Sequence, residues 1–372
     1  MATASINFAS MDFVMALSAA DRQRLEAARA EFDPEVVYLN TTTMGLPPER
    51  SLLALQEALR DWRRGTANSA EYDQPLTKAR ATYAGLVGVD PSEVAVGGQA
   101  SMFAGLVAAS LPPGSEVLTA EGDFTSILFP FHAQASRGIT VREVPLDRIA
   151  EAVDDRTTLV SVSAVQSADG RVADLDSLEA TCAGTGTRIL LDTTQAVGWL
   201  PIEAVRFAYT VCSGYKWLLA PRGTAYFTVR PELADEIVPN HAGWYAGPDP
   251  WTSIYGTPLR LAPDARRFDL SPAWHSWVAA APALDLLAEV GLGALHAHAV
   301  DLAERFRSAV GLPSTNSAIV SAVADDQVPG LMAASRIVGS VRAGRLRLAF
   351  HVSTSEPDAD RAAEVLSGHL RP

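Results

Sequence analysis

The chain has 372 residues, and its 43 acidic against 30 basic side chains give a formal net charge of −13. Hydrophobic residues make up 48% of the sequence and charged residues 20%, which is typical of a folded globular protein and argues against disorder. The acidic balance argues against nucleic acid and anionic membranes as partners, because both require a basic protein surface.

The two cysteines, Cys182 and Cys212, are too few for a disulfide framework in a chain of this length. The apolar stretch 13–17 is too short for a signal peptide, and no run reaches the roughly 18 apolar residues of a transmembrane helix. Neither His-Glu-x-x-His nor Cys-x-x-Cys occurs, so no metal is expected. We therefore expect a cytoplasmic protein.

The first two thirds of the chain alternate between helical and strand patterns. Helices are predicted at 46–65, where Leu52, Leu55, Leu59 and Trp62 recur at helical spacing, and at 76–87. Short β-branched runs then predict strands, with a helix at 101–111 after the first of them. The predicted strands are 93–96, 116–118, 140–144, 158–165, 188–191, 207–212 and 224–229. Strands separated by helices imply parallel pairing and a helix-covered sheet.

The last third begins with a connector, 232–272, that is rich in Pro, Gly and Trp. Its part 241–257 is long enough for a substrate lid, with an apolar dimer contact as the equal alternative. Helices are predicted at 276–290, 293–310 and 357–370, and a strand at 345–350. The predicted fold class is α/β, with a large domain (46–270), a smaller α+β domain (271–372) and an N-terminal segment (1–45) that joins the small domain and the active site.

Three features follow the predicted strands, and ligands of open α/β sheets lie beyond such strand ends. The glycine turn 97–101 opens a helix whose free N–H groups can bind a phosphate, although it also fits an ordinary strand–helix turn. Asp192 is placed to meet a buried cation, or else it caps the next helix. Lys216 lies between Tyr215 and Trp217, so it is either a nucleophilic amine or a lysine that reaches the surface.

In combination these features supply what pyridoxal 5′-phosphate needs. Its aldehyde reacts with a lysine amine, its pyridine nitrogen needs an acid, and its phosphate needs a helix N-terminus. Because Asp192, Lys216 and the turn 97–101 provide all three, the sequence predicts this cofactor.

The same segments resemble the class V branch of fold-type I pyridoxal-phosphate enzymes, which includes cysteine desulfurases, kynureninases, isopenicillin N epimerases and carbon–sulfur lyases. The resemblance extends over 38–361 and implies the fold-type I architecture and a homodimer whose active site lies at the subunit interface. It rests on the segments 38–45, 97–101, 123–124, 165–170, 192–198, 213–223, 267–269 and 345–350, which occur in the family's order and spacing.

The resemblance implies a role for individual residues. Lys216 would form the Schiff base with the cofactor and move the Cα proton, and Asp192 would pair with the pyridine nitrogen. Gln195 would donate a hydrogen bond to O3′ or bind the region of the Schiff base. Phe124 would stack on the pyridine ring, with core packing as the alternative. The implied cofactor-binding residues are Ala100, Ser101, Phe124, Gln166, Asp192, Gln195, Ser213, Tyr215 and Lys216, of which Ala100, Ser101, Ser213 and Tyr215 would hold the phosphate.

For an amino-acid substrate, the resemblance implies that Arg347 binds the α-carboxylate in a two-pronged contact. Asn40 lies in a loop that reaches the substrate in the family. Arg345 precedes Arg347 by two residues and would share its face of a strand, so the choice between these arginines stays open.

The sequence departs from the family in two features, and the first of them limits the reactions that the enzyme could catalyse. No cysteine follows Cys212, which disfavours a desulfurase that forms a persulfide, and Ser271-Pro272 replaces a Gly-Thr pair that often reaches the neighbouring subunit. We expect β-elimination from an S-substituted cysteine in secondary metabolism. The alternatives are aminotransfer or decarboxylating deamination, and then epimerisation. Lys216 and Asp192 argue against a cofactor-free binding protein, and the absence of a third glycine after Gly97-Gly98 argues against a nicotinamide enzyme.

Overall fold

A computed structural model describes residues 17–372, so most of the stretch 13–17 and residues 1–16 of the predicted segment 1–45 lie outside the described residues. The first described elements are α1, β1, α2 and α3. Their bounds are Ala19–Arg29, Val37–Tyr38, Glu49–Arg64 and Asp73–Val87. The predicted helices 46–65 and 76–87 are confirmed as α2 and α3. Helix α2 begins only after Pro48 and ends at Gly65, whose φ of 72° is the left-handed conformation of a helix C-cap.

Seven strands form the central sheet. They are β2 (Val94–Gly97), β3 (Glu116–Ala120), β4 (Thr140–Val144), β5 (Thr157–Ser163), β6 (Arg188–Asp192), β7 (Tyr209–Ser213) and β8 (Ala225–Val229). Their order across the sheet is β2-β8-β7-β6-β5-β3-β4, and every pair is parallel except the two that involve β8. All seven predicted strands are confirmed, but parallel pairing is wrong for β8. The connection 214–224 contains no helix to carry the chain back across the sheet, so β8 must return antiparallel.

The sheet has a hydrophobic core on each face, because successive side chains of a strand point to opposite sides. Val94 and Val96 of β2 pack with α3, whereas Ala95 packs on the other face. The helices of this part are α4 (Ala100–Ser110), α5 (Phe129–His132) and α6 (Leu175–Thr185). The two buried faces make the sheet a rigid platform, with the carboxyl ends of its parallel strands at one edge.

The C-terminal part forms a second, antiparallel sheet. Its elements are α7 (Trp274–Val290), α8 (Leu292–Val310), β9 (Ile319–Ala324), α9 (Val328–Ala334), β10 (Ile337–Val338), β11 (Ser340–Arg342), β12 (Arg345–Ala349), α10 (Glu356–Leu366) and β13 (Leu370–Arg371). The strand order is β11-β12-β9-β13, and β1 pairs with β10. The predicted helix 357–370 is wrong at its end: Gly368 has a φ of 80°, and the last residues pair with β9.

The predicted division into 1–45, 46–270 and 271–372 stays a prediction. Helix α7 packs against α2 and α3 in the core of the large sheet, which favours a second boundary near Gly291. Between residues 17 and 372, no single helix is long and apolar enough to cross a membrane. The pair α7 and α8 reaches that length only with a bend of 83° between them. Within the same range, no group of three or more His, Cys, Asp or Glu side chains could hold a metal ion.

A buried ion pair connects the connector segment to the sheet edge. Arg80 of α3 donates to both carboxylate oxygens of Asp269, with Nη2 2.6 Å from Oδ2. The Oδ1 atom of Asp269 also accepts the N–H of Val96 at 2.8 Å. One carboxylate therefore joins α3, β2 and the segment before α7, and its charge compensates a guanidinium that is out of water.

We expect Asp269→Asn to destabilise the protein by about 3–5 kcal/mol, because it leaves the buried Arg80 without its counter-ion. Urea unfolding of the apoprotein, followed by tryptophan fluorescence, measures this loss. Asp360→Asn removes one partner of the exposed Arg305–Asp360 pair and is the matched control, with a much smaller effect. Equal losses in the two variants would contradict the structural role of Asp269.

Candidate active site

The lysine turn after β7 is held by close backbone approaches. A Cβ at Gly45 would lie 2.1 Å from the carbonyl oxygen of Lys216, and one at Gly198 would lie 2.4 Å from that of Trp217. Gly198 also has a φ of 118°, which L side chains rarely adopt. Because only glycine fits at these two contacts, the turn that carries Lys216 is fixed from two separate segments of the chain.

The side chain of Lys216 is buried, with 5% of its surface exposed. Its Nζ lies 5.2 Å from the ring centre of Phe124 and forms no hydrogen bond with any residue between 17 and 372. Burial lowers the pKa of this amine to about 8, although the nearby Asp192 carboxylate raises it. The amine therefore loses its proton far more easily than an exposed lysine, as a nucleophile or base requires.

Asp192 ends β6 and is also buried. Its Oδ1 accepts the N–H of Thr194 at 2.8 Å, and the described part of the chain offers it no ion pair. Burial raises the pKa of this carboxyl, whereas Thr194 and the charge of Lys216 lower it. A buried carboxyl with so few partners suits a ligand that brings a protonated nitrogen.

The N-terminus of α4 lies against the end of β7. The N–H of Ala100 donates to Ser213 Oγ at 3.4 Å, and Gln99 provides no side-chain cap. The neighbouring Ser101 forms no side-chain hydrogen bond with the residues described. Because the first N–H groups of a helix lack partners, this end of α4 can bind a phosphate together with Ser213.

Tyr215 lies on the lysine turn with its ring centre 5.7 Å from Lys216 Nζ. The guanidinium carbon of Arg222 is 4.4 Å from the same ring centre, a cation–π distance. The structure thus brings Tyr215 next to the lysine and fixes its ring from the other side. Its predicted contact with the phosphate stays a prediction.

The side-chain amide of Gln195 binds protein atoms at both ends. Its Oε1 accepts the indole N–H of Trp217 at 2.8 Å, and its Nε2 donates at 3.1 Å each to Ser167 Oγ and the carbonyl of Thr42. Gln195 therefore lies beside the lysine turn, and its predicted contact with the cofactor stays a prediction. A hydrogen bond to the cofactor's O3′ would replace one of the two contacts of Nε2.

Phe124 is presented by Asp123, which the sequence analysis gave no role. The carboxylate of Asp123 accepts the N–H of Phe124 at 2.7 Å, the N–H of Ser163 at 2.8 Å and Nε2 of Gln166 at 3.1 Å. In the structure, the side-chain amide of Gln166 therefore donates a hydrogen bond to Asp123. Phe124 is 42% exposed, so the alternative of core packing is wrong, and stacking on the pyridine ring stays a prediction.

Arg347 is buried, with its guanidinium bound to neutral oxygen atoms. It donates to the carbonyl and Oγ of Ser167, to Thr43 Oγ1 at 3.1 Å and to Ser340 Oγ at 3.3 Å. Two further arginines are equally buried, and each pairs with a carboxylate: Arg80 with Asp269 and Arg307 with Glu304. Within residues 17–372, Arg347 has no such partner, and burial lowers its pKa to about 10.

The open choice between Arg345 and Arg347 now has a geometric answer. Ser167 Oγ accepts both Nε2 of Gln195 and Nη1 of Arg347, at 3.1 and 3.2 Å. Arg345 is half-buried and donates to Ser321 at 3.1 Å instead. Arg347 is therefore the arginine connected to the lysine turn.

Asn40 lies in the turn that precedes Gly45. Its Oδ1 atom is buried and accepts no hydrogen bond from the residues described. An unpartnered buried acceptor is costly. This atom is thus available to a donor group of a ligand, in agreement with the predicted place of Asn40.

Residues 37–329 match the aminotransferase class-V family. The chain belongs to this family. It is 26% identical to an uncharacterized aminotransferase, YcbU, of Bacillus subtilis (strain 168), with 88% of this chain and 95% of that protein covered. It is 29% identical to an isopenicillin N epimerase of Streptomyces clavuligerus, with 75% and 76% covered.

The fold agrees with solved structures of class V relatives. A cystine C–S lyase in complex with its product cysteine persulfide superimposes with a TM-score of 0.80 at 21% identity, covering 90% of this chain and 98% of that one. A cysteine desulfurase from Thermococcus onnurineus NA1 gives 0.80 at 19% identity, with 92% and 97% covered. The fold is therefore that of fold-type I pyridoxal-phosphate enzymes, and the predicted fold class is confirmed.

The cofactor of this class V enzyme is pyridoxal 5′-phosphate, and the residues present fit it. Among residues 17–372, Lys216 offers a desolvated amine without a hydrogen bond, Asp192 a buried carboxyl without an ion pair, and Phe124 a partly exposed ring. The N-terminus of α4 with Ser213 fits the phosphate. The individual contacts stay predictions.

We expect the rate at which the apoenzyme attaches its cofactor to rise with pH, with a midpoint near 8, since only the neutral amine of Lys216 reacts. Arg347→Gln should move the midpoint upward, because the guanidinium of Arg347 lowers the pKa of Lys216. The growth of the visible cofactor band measures this rate. Lys216→Ala should give no such band, and Arg345→Gln is the control. A midpoint that Arg347→Gln leaves unchanged would contradict this electrostatic coupling between Arg347 and Lys216.

We expect Arg347→Gln to weaken the binding of amino acids by about 10- to 100-fold, because a charge-assisted, two-pronged contact with the α-carboxylate is lost. The shift of the cofactor's absorption on titration measures the dissociation constant. Amino acid amides, which lack the carboxylate, should bind the variant and the wild type alike. A similar loss in Arg345→Gln would contradict the assignment.

Proposed function

We propose that the chain is a lyase that catalyses β-elimination from an S-substituted cysteine. The observation that carries this proposal is a chain of hydrogen bonds from Arg347, which forms no ion pair within residues 17–372, through Ser167 and Gln195 to Trp217, the neighbour of Lys216. The guanidinium of Arg347 can hold an α-carboxylate, and its charge lowers the pKa of the Lys216 amine, so the two groups belong to one site. This pair of groups suits a reaction at Cα of an amino acid.

Each residue has a distinct task in this reaction. Arg347 binds the α-carboxylate and so orients the Cα–H bond of the substrate. Lys216, whose pKa of about 8 keeps part of the amine neutral near neutral pH, takes the Cα proton. The bound cofactor supplies an electron sink for the pair of electrons left on Cα.

The overall reaction breaks the Cα–H and Cβ–S bonds. The proton goes to Lys216, and the sulfur leaves with the bonding pair and becomes a thiol when it takes up a proton. One molecule of water is consumed when the amino group is released, so the products are the thiol, pyruvate and ammonium. No oxidant, reductant or second substrate is needed.

The placement of both cysteines supports a lyase over a desulfurase that stores sulfur on the enzyme. Cys182 and Cys212 are buried, and burial raises their pKa values to about 11 and about 12. The chain has no other cysteine. A buried thiol that stays protonated is a poor sulfur acceptor, which supports a reaction in which the sulfur leaves with the product.

Epimerisation is the second candidate, favoured by the 29% identity to an isopenicillin N epimerase. The likeness to YcbU, named an aminotransferase, favours amino-group transfer in the same way. Both reactions share the Cα deprotonation proposed for Lys216. They differ from elimination because the substituent on Cβ stays in place: epimerisation returns a proton to the opposite face of Cα, and amino-group transfer passes the nitrogen to a keto acid.

We also propose that the enzyme is a homodimer in the cytoplasm, as predicted from the sequence. The exposed aromatic residues Trp62 and Tyr255 support an interface, with 65% and 87% of their surface accessible. In the connector, Tyr245 and Trp251 donate to the two oxygens of Asp73 at 2.6 Å each. This attachment favours an ordered contact surface over a freely moving lid.

We expect the holoenzyme to release one thiol and one pyruvate from each molecule of S-methyl-L-cysteine, without added keto acid. Proton NMR in D2O follows all candidate reactions at once. Elimination consumes the substrate, epimerisation exchanges the Cα proton while the substrate persists, and transamination stops after one turnover unless a keto acid is added. Lys216→Ala is the control and should show none of them. Exchange without thiol release would overturn the lyase proposal.

A further inference from the structure

A second arginine stands next to the proposed carboxylate site. Arg342, at the end of β11, donates from Nη2 to Thr43 Oγ1 at 3.3 Å, and Arg347 donates from its own Nη2 to the same oxygen at 3.1 Å. Since both bonds end on one atom, the two nitrogens are separated by less than two hydrogen-bond lengths. The hydroxyl of Thr43 thus lies between two guanidinium groups.

These positive charges are not compensated by the protein. Arg342, Arg345 and Arg347 lie on one hairpin, and none of them pairs with a carboxylate within residues 17–372. Segment 339–350 contains no acidic residue, although the whole chain has a net charge of −13. The charge of Arg342 also lowers the pKa values of Arg347 and Lys216, so its influence extends to the active site.

The hairpin that carries Arg342 has two unfavourable local features. Arg342 faces Arg345 in the β11–β12 ladder, which places like charges directly opposite each other. The turn between them is Ala343-Gly344, with φ values of 48° and 75°. Such a tight turn suits glycine or asparagine, and an alanine there is unfavourable. The hairpin thus keeps two facing arginines and an alanine with a positive φ, although both features are unfavourable. Such local strain is typical of a functional site.

We propose that Arg342 binds a second anionic group of the substrate, so that the enzyme selects amino acids whose side chain ends in a carboxylate. The α-carboxylate compensates Arg347, which is buried, and the distal carboxylate compensates Arg342, which is exposed at the outer side of Thr43. A substrate with two carboxylates thereby removes the repulsion between the two guanidinium groups. A substrate with one carboxylate leaves Arg342 uncompensated.

The test uses the holoenzyme and two isosteric substrates, S-carboxymethyl-L-cysteine and S-carbamoylmethyl-L-cysteine, which differ only in the charge of the distal group. We expect the wild type to prefer the carboxylate in kcat/KM, and Arg342→Gln to reduce that preference about 10- to 100-fold. Arg345→Gln removes a charge from the same hairpin but contacts Ser321, so it should keep the preference. An equal loss for both substrates would mean that Arg342 serves the α-carboxylate, and the inference would be overturned. An unchanged preference would overturn it as well.

This inference rests on the proposed function only for the choice of these substrates. A binding measurement separates the two, with α-methylglutamate and α-methylglutamine as probes, since neither has a Cα–H bond to break. Their dissociation constants follow from the shift of the cofactor's absorption. If Arg342→Gln abolishes the preference for α-methylglutamate while no thiol is released from any cysteine derivative, the lyase proposal fails and the anion site stands. If thiol is released but the wild type binds both probes equally, the anion site fails and the lyase stands.

Discussion

The site depends on one constraint: the amine of Lys216 is out of water and has no hydrogen-bond partner among residues 17–372. Burial costs the charged form far more than the neutral form, so the pKa falls to about 8 and the amine becomes reactive. Such a lysine must be forced into position, because an unpaired buried cation opposes folding. The close approach of Gly45 and Gly198 to the lysine turn supplies that force, and it does so through the backbone of elements with large buried cores.

Around this amine the protein arranges polar contacts of two kinds. Some are saturated within the protein, as in the amide of Gln195 and the carboxylate of Asp123. Others are incomplete among the described residues: the charge of Arg347 faces only neutral oxygen atoms, and Asn40 Oδ1 accepts no hydrogen bond. The saturated groups fix the geometry, and the incomplete groups await a ligand. This division explains how a rigid site can still bind a charged cofactor and a charged substrate. The polar groups that lack a partner lie only where a ligand can supply one.

Much of this arrangement could be predicted from the sequence, and the failures have physical reasons. β-branched runs and helical periodicity located the strands and helices because each side of the sheet is buried. The direction of β8 depends on a missing crossover helix, which the strand pattern itself does not contain. Thr43, Asp123 and Ser167 were missed because their roles come from contacts with distant parts of the chain. The two-residue period of a strand places Arg345 and Arg347 on the same face of β12. Their hydrogen-bond partners differ because they lie at different positions along the strand, and the period does not predict those partners.

One contact gives the C-terminal sheet a direct influence on the lysine. His351 follows β12, and its Nε2 donates to the carbonyl of Trp217 at 2.8 Å, immediately after Lys216 in the chain. Burial lowers the pKa of this imidazole to about 4, so the hydrogen bond persists uncharged across the physiological range. Arg347 lies on the same strand, four residues before His351. The strand that would bind the substrate's carboxylate therefore continues into the residue that holds the lysine turn, so the energy of binding that carboxylate can contribute to the alignment of the amine with the Cα–H bond.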